Sequence, residues 1–393
     1  MITGASVFIV ISLVAKFTGV SDITSPGAAG ATIRFTIPIL MAGLGGLWAE
    51  RSGVINIGLE GMMIIGTWFG AWFGFLYGPW VGLLAAAIAG AITGLLHAVL
   101  TVRVGIDQAV SGLAINLLAA GTARFLSGVY FVNNGGDINI SPQVKPIGSF
   151  TVHGLSPLLG SIAKHHILVI SDLAGILQGL TTNINWASLL MILALPLTSF
   201  ILWKTRFGLR MRFCGENPVA AESLGVKVYR TRYIALAVSG ALAGLGGAYI
   251  SVVVTGNYLE GQTAGRGYIG LAAVIFGNWQ PAGVLAGSIL FGLTDALRLR
   301  QSTSVHALLL VVIVVAAAYG VTKLLKKNWK GFVINIGIAV AILAYYIVNK
   351  VVPDEFVTFF PNLTTILVLA FLSQRLRPPA MAGAPYRQGE DSN

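Results

Sequence analysis

Long apolar runs dominate this chain, and short polar stretches separate them. A typical run, LLAAAIAGAITGLLHAVL from Leu83 to Leu100, carries no Asp, Glu, Lys or Arg. A helix that crosses a bilayer needs ~20 apolar residues. Candidate runs lie at 3–20, 30–48, 55–77, 80–101, 108–130, 186–203, 233–255, 267–279, 281–297, 305–322, 331–349 and 357–373. The pattern predicts an all-α, polytopic transmembrane helical bundle of about ten to twelve spans, some of them short or broken. A membrane β-barrel would instead show ~10-residue alternating segments. The segment 267–279 is short, and the turn Asn278, Trp279, Gln280, Pro281 bounds it. We expect the chain there to cross fully, as a half-helix or broken span. Small residues four apart recur at Gly66, Gly70 and Gly74, Gly90 and Gly94, Gly240 and Gly244, and Gly283 and Gly287. That spacing predicts flat helix faces and close backbone packing.

Two polar segments interrupt the runs. The segment 204–232 holds Lys204, Arg206, Arg210, Arg212, Lys227, Arg230 and Arg232 against Glu216 and Glu222. The positive-inside rule makes it a cytoplasmic loop and makes 131–185, with two lysines, an external loop. Counting spans from there places both termini in the cytoplasm and puts Lys323, Lys326, Lys327 and Lys330 inside. The apolar start has neither a basic n-region nor a small-residue cleavage site, so it is expected to stay as a span. The external pair His165 and His166 reads as surface residues, because adjacent histidines do not ordinarily converge on one ion.

Composition sharpens the class. Hydrophobic residues make up 55% and charged residues 10% of the 393, and mean hydropathy is +0.81. A soluble domain carries about 25% charged residues, so lipid is this chain's main solvent. The net charge of +11 belongs to membrane-flanking loops. No basic run stands outside such loops, so no nucleic-acid partner is expected. The one cysteine, Cys214, rules out an intrachain disulfide. No phosphate-cradling G-x-x-x-x-G-K-[ST] string, H-E-x-x-H pair or nucleophile elbow occurs. The chain reads as a non-enzyme without a cofactor of its own, and any ATP would be bound by a separate subunit.

Two constellations carry chemistry. In the cytoplasmic loop stand Gly215, Glu216, Asn217, Pro218, Val219, Ala220, Ala221, Glu222, Ser223, Leu224 and Gly225. Asn217 before Pro218 suits a helix start, and Gly225 suits a left-handed end. A helix of about two turns is too short to be stable alone. Ala220, Ala221 and Leu224 would give it an apolar face for a partner's groove. The second constellation runs from Glu50 to Met62 and breaks the apolar pattern with Gly53, Gly58 and Gly61. Glu50 and Arg51 are expected to be solvated at a span end. Asn56 and Glu60 are four apart and would share a helix face. Gln108 and Asn116 add amides that both donate and accept hydrogen bonds. Polar groups retained in a span usually face a cavity or another polar group, so these four are candidates for a substrate path.

The string GENPVAAESLGVKVYRTRYIALAVSGALAGLGGAYIS resembles the coupling segment of the bacterial ABC importer permeases that serve branched-chain amino acids, simple sugars and nucleosides. ERSGVINIGLEGMM is similar to the signature of the nucleoside branch, where sugar permeases carry Asp-Leu-Ser and amino-acid permeases Asn-Phe-Ala-His. The stretches Gly105 to Asn116 and Gly267 to Arg300 also resemble that branch. The likeness extends across about 35–130 and 200–322 and implies a type II-like importer permease, 1–393, in the bacterial inner membrane. It implies that Gly215, Glu216, Asn217, Ala220, Ala221, Leu224 and Gly225 couple to an ATP-binding cassette ATPase subunit. It also implies a second permease chain, homologous or identical, and an extracellular substrate-binding lipoprotein. The external loop 131–185 and the extension 323–393 go beyond the family pattern. The alternatives are simple sugars or branched-chain amino acids as cargo, or a stand-alone secondary transporter with Glu60 or Asp295 for ion coupling. A membrane scaffold would leave the polar helix breaks unexplained.

Overall fold

The computed structural model describes residues 4–20, 24–165, 167, 169–297, 302–349, 352–353 and 376–387. The helices in chain order are α1 (Gly4–Thr18), α2 (Pro26–Arg51), α3 (Leu59–Tyr77), α4 (Pro79–Ala98), α5 (Gln108–Tyr130), α6 (Leu155–Lys164), α7 (Ile170–Thr181) and α8 (Trp186–Lys204). They continue as α9 (Arg206–Glu216), α10 (Pro218–Ser223), α11 (Val228–Tyr249), α12 (Arg266–Phe276), α13 (Pro281–Leu297), α14 (Ser302–Leu325) and α15 (Trp329–Val348). Among the described residues, the strands are two residues each, Ser149–Phe150 and Ile184–Asn185. Among the described residues, eight helices are long and apolar enough to cross a membrane, and shorter apolar ones occupy Phe8–Thr18, Arg266–Phe276 and Pro281–Ala296. The expected run 357–373 lies outside the described residues, as does His166.

The chain divides into two compact units, 1–33 with 150–184 and 293–364, and 34–149 with 185–292 and 365–393. In the first unit α14 packs on α15 and on α1, and Val14, Ala307 and Val311 form a small core. The helices α6 and α7 pair within the stretch expected to be an external loop. α7 lies against the start of α2 along its small residues: a Cβ on Gly179 would meet Pro26 O at 2.3 Å. A cavity of about 630 Å³ in this unit is lined by Ser12, Lys16, Thr24, Asp172 and Gln178 among others, none of them a candidate site residue.

The second unit is built on α3, α4 and α11, and the glycine spacing explains why. A Cβ on Gly90 would meet Gly240 O at 2.2 Å, and one on Gly66 would meet Gly244 O at 2.1 Å. The backbones therefore touch, as small residues four apart allow. Leu40, Leu44, Leu47, Trp48, Leu202 and Met211 fill the core beside this contact. The helix α12 has eleven residues, which at 1.5 Å each is about half a 30 Å hydrocarbon core. The non-helical run 256–265 leads into it. At one end Val144 N donates to Gly256 O and Ser141 N to Tyr258 O. At the other, the turn at Trp279 accepts from Arg51. The short helix and the irregular run before it are thus tied to other elements at both ends.

Candidate functional site

Helix order stops at Arg51 and resumes at Leu59. Asn56 therefore stands in an irregular stretch, and the expectation that it shares a helix face with Glu60 is not met. The glycines break the helix: Gly53 has φ +92°, the left-handed region that glycine tolerates. Its freed backbone groups need partners, because lipid offers none. Side chains from three other helices supply them. Gln108 Oε1 accepts from Ile55 N at 2.7 Å. His97 Nε2 lies 3.2 Å from Ile55 O, and its Nδ1 lies 2.9 Å from Ser111 Oγ. Donation to a carbonyl puts the proton on Nε2 and leaves Nδ1 to accept from the serine. Asn116 Nδ2 donates to Ile57 O at 3.0 Å and to Tyr268 OH at 2.8 Å, while its Oδ1 accepts from Gly61 N at 2.7 Å. Asn56 Nδ2 donates to Ser239 Oγ at 2.9 Å.

Glu60 closes the layer from the other side. Its two carboxylate oxygens accept from Gly265 N at 3.0 Å and Gly267 N at 2.7 Å, at the start of α12. The carboxylate thus sits at the positive end of a helix, where a negative charge is favoured. All four predicted path residues meet in one buried layer: Asn56, Glu60, Gln108 and Asn116 are each less than a tenth exposed. Gln108 and Asn116 spend polar atoms on the broken backbone, Glu60 on the start of α12, and Asn56 on Ser239. Asn56 Oδ1, Arg232 Nη2 and Gln262 Nε2 find no hydrogen-bond partner among the described residues. The exposed edge of the layer is Tyr268, 43% exposed.

The pair Glu50–Arg51 departs from its solvated expectation, and both residues are buried. Arg51 Nε and Nη2 donate to Trp279 O at 3.1 and 2.7 Å, and its guanidinium lies over the Trp203 ring. Trp279 Nε1 donates in turn to Glu50. The partner is 228 residues away in sequence, which is why local reasoning missed it. His97, Ser239 and Tyr268 were missed too. A lone histidine inside an apolar span was the one available signal.

The loop helix forms as its sequence dictates. Asn217 Oδ1 accepts from Ala220 N at 2.9 Å, Pro218 opens α10, and Gly225 ends it with φ +80°. The expected apolar face is divided. Ala221 is fully buried against Cys214, Val228 and Tyr386, so it faces the chain's own core rather than a partner. Ala220 is half-buried, and Leu224 is 75% exposed. Burial pushes the Cys214 thiol above its ordinary range, which leaves it unreactive. Gly215 seats this loop on the broken helix: a Cβ there would meet Arg51 O at 2.5 Å. Glu216 adds an ion pair to Arg51 at 3.8 Å, half-exposed and so weak by itself. Two residues separate Gly53, under Gly215, from Asn56 in the polar layer. The loop helix and the polar layer are thus joined through one short turn.

Residues 29–318 match the family model described as branched-chain amino acid transport system / permease component. The chain is 38% identical to the nucleoside ABC transporter permease protein NupC of Lactococcus lactis subsp. cremoris over 67% of this chain and 79% of that protein. It is 32% identical to the guanosine ABC transporter permease protein NupQ of Bacillus subtilis over 92% of this chain and 96% of that one. A relative from Haloferax volcanii with a provisional glucose permease name is 31% identical over 93% of this chain and 98% of its own length. No solved structure matches the chain at a significant level. A multi-pass helical architecture, a polar break inside the bundle and these matches agree: the chain belongs to the branched-chain amino acid transport system permease family.

Proposed function

We propose that this chain is the permease subunit of an ABC importer that carries nucleosides into the cell. The match to nucleoside and guanosine permeases, which reaches 92% of the chain, carries this reading. The site supports it. Nucleosides are neutral and rich in mixed donors and acceptors, and the layer around Asn116 is built from amides, hydroxyls and one carboxylate that is already engaged. Asn56, Glu60, Gln108 and Asn116 form the wall of the path and fix its shape, while Tyr268 presents its edge toward a second permease chain. A separate ATPase docks on α10 through Leu224, and an extracellular lipoprotein delivers the cargo. Both oxygens of Glu60 are taken by backbone N–H groups, which favours this reading over a stand-alone porter that uses Glu60 for ion coupling.

Uptake of labelled guanosine by cells with and without this chain, beside its ATPase, tests the substrate. Guanosine uptake that depends on the chain is expected, with glucose and leucine uptake unaffected. Chain-dependent glucose or leucine uptake without guanosine uptake would assign the cargo to another branch. Orientation has its own test. A reporter fused after Lys327 is expected to read cytoplasm and one at Gly154 the exterior; the reverse at Lys327 would refute the assigned topology.

A further inference from the structure

The family match ends at residue 318, yet a stretch far beyond it, Leu376 to Arg387, returns to the loop helix. It runs without regular secondary structure, and much of its polar backbone is spent on the surface it crosses. Arg377 N donates to Asn278 Oδ1 at 2.7 Å, beside the Trp279 turn. Ala380 N donates to Glu216 Oε2 at 3.2 Å and Met381 N to Gly215 O at 2.9 Å, at the entry to α10. Gly383 N donates to Gly53 O at 3.3 Å, at the start of the helix break. Tyr386 then inserts its ring among Cys214, Ala221 and Val228. The ring meets Tyr229 edge-on at 5.9 Å, and the Arg232 guanidinium lies 5.4 Å from its centre. Its hydroxyl donates to Glu222 on α10. Burial, and then the Glu222 carboxylate, push this phenol above its ordinary range, so it remains a donor at any working pH.

The hydrogen bonds share one property. Each lands on α10 or the end of α9 that leads into it, on the break, or on the turn that holds Arg51, while the Tyr386 ring also packs on α11. A segment that only covered apolar surface would have no reason to spend successive N–H groups on three separate elements. Arg232 points the same way, since its Nε donates to Ser52 O at 3.2 Å while its guanidinium faces Tyr386.

We propose that Leu376–Arg387 is a strap that makes α10 and the Arg51–Gly58 break move as one body, with Tyr386 as its positioning residue. The proposal rests on the reading of α10 as the ATPase dock. A partner that displaces α10 pulls on Gly215 directly and on Gly53 through the strap, and the break carries the displacement into the layer around Asn56. Without the strap, α10 tilts while the break stays behind.

The test uses the assembled transporter, permease with its ATPase, in proteoliposomes. The quantity read is labelled guanosine moved per ATP hydrolysed, at matched ATPase association. Tyr386→Ala is expected to lower that ratio about tenfold, and Tyr386→Phe, which keeps the ring and loses the hydroxyl, about threefold. A wild-type ratio in Tyr386→Ala overturns the strap. If Tyr386→Ala does not accumulate in the membrane, Tyr386→Phe decides, and an unchanged ratio there overturns it. Leu224→Asp separates the two ideas. If the ATPase still binds that variant, the docking reading fails. If binding is lost while Tyr386 variants keep the wild-type ratio, the strap alone fails.

Discussion

The polar layer and the loop helix are a short turn apart, but they use their side chains in opposite ways. Asn116, on α5, is buried and saturated: its three hydrogen bonds go to Ile57, Gly61 and Tyr268 of its own chain. Leu224, at the end of α10, is mostly exposed and outside the buried core. On the proposed function, the layer therefore acts on the fold and on whatever moves within it, and the loop helix meets a partner outside the chain. Both carry residues that the sequence marks as functional. Burial separates a residue that shapes a path from one that receives a partner.

That contrast predicts a descending series of stability losses, read by thermal unfolding of the purified permease. Asn116→Leu should cost the most, about 3–5 kcal/mol, because three polar groups, two of them backbone groups at the helix break, lose their partner. It should also abolish guanosine uptake, and normal stability would show that the layer is not the brace described here. Gly215→Val should follow at about 2–3 kcal/mol, since the added side chain collides with the Arg51 carbonyl and strains both regions at once. Glu60→Gln should cost about 1–2 kcal/mol, because one of its two charge-assisted acceptors becomes a donor facing an N–H. A full loss of uptake with unchanged stability would instead give Glu60 a role in transport beyond bracing. Leu224→Asp should change stability by no more than about 0.5 kcal/mol and yet remove the ATPase in co-purification. Retention of the ATPase would erase the contrast.

Some of this was legible in the chain. The cap at Asn217, the stop at Gly225 and the glycine stripes of α3, α4 and α11 are local or periodic signals, and each formed as read. The convergence of Asn56, Glu60, Gln108 and Asn116 was anticipated from the cost of polar groups in lipid, although their partners proved to be groups of the chain itself, backbone for the most part. The departures share a cause in distance along the chain. Glu50 and Arg51 are buried because Trp279 folds over them, and Ala221 faces inward because Tyr386 and Cys214 meet it there. No periodicity near residue 50 or 221 records those neighbours. Asn56 fell outside a helix because the helix begins only at Leu59, past Gly58, although the apolar run begins at 55.

The central claim is that a partner's push on α10 reaches the polar layer through the Arg51–Gly58 turn. Hydrogen exchange on the assembled transporter, with and without a non-hydrolysable ATP analogue, tests it most directly. The amides of Ile55 and Gly61, held by Gln108 and Asn116, should change protection together with residues 215–226. A change confined to 215–226, with Ile55 and Gly61 unaltered, would contradict it.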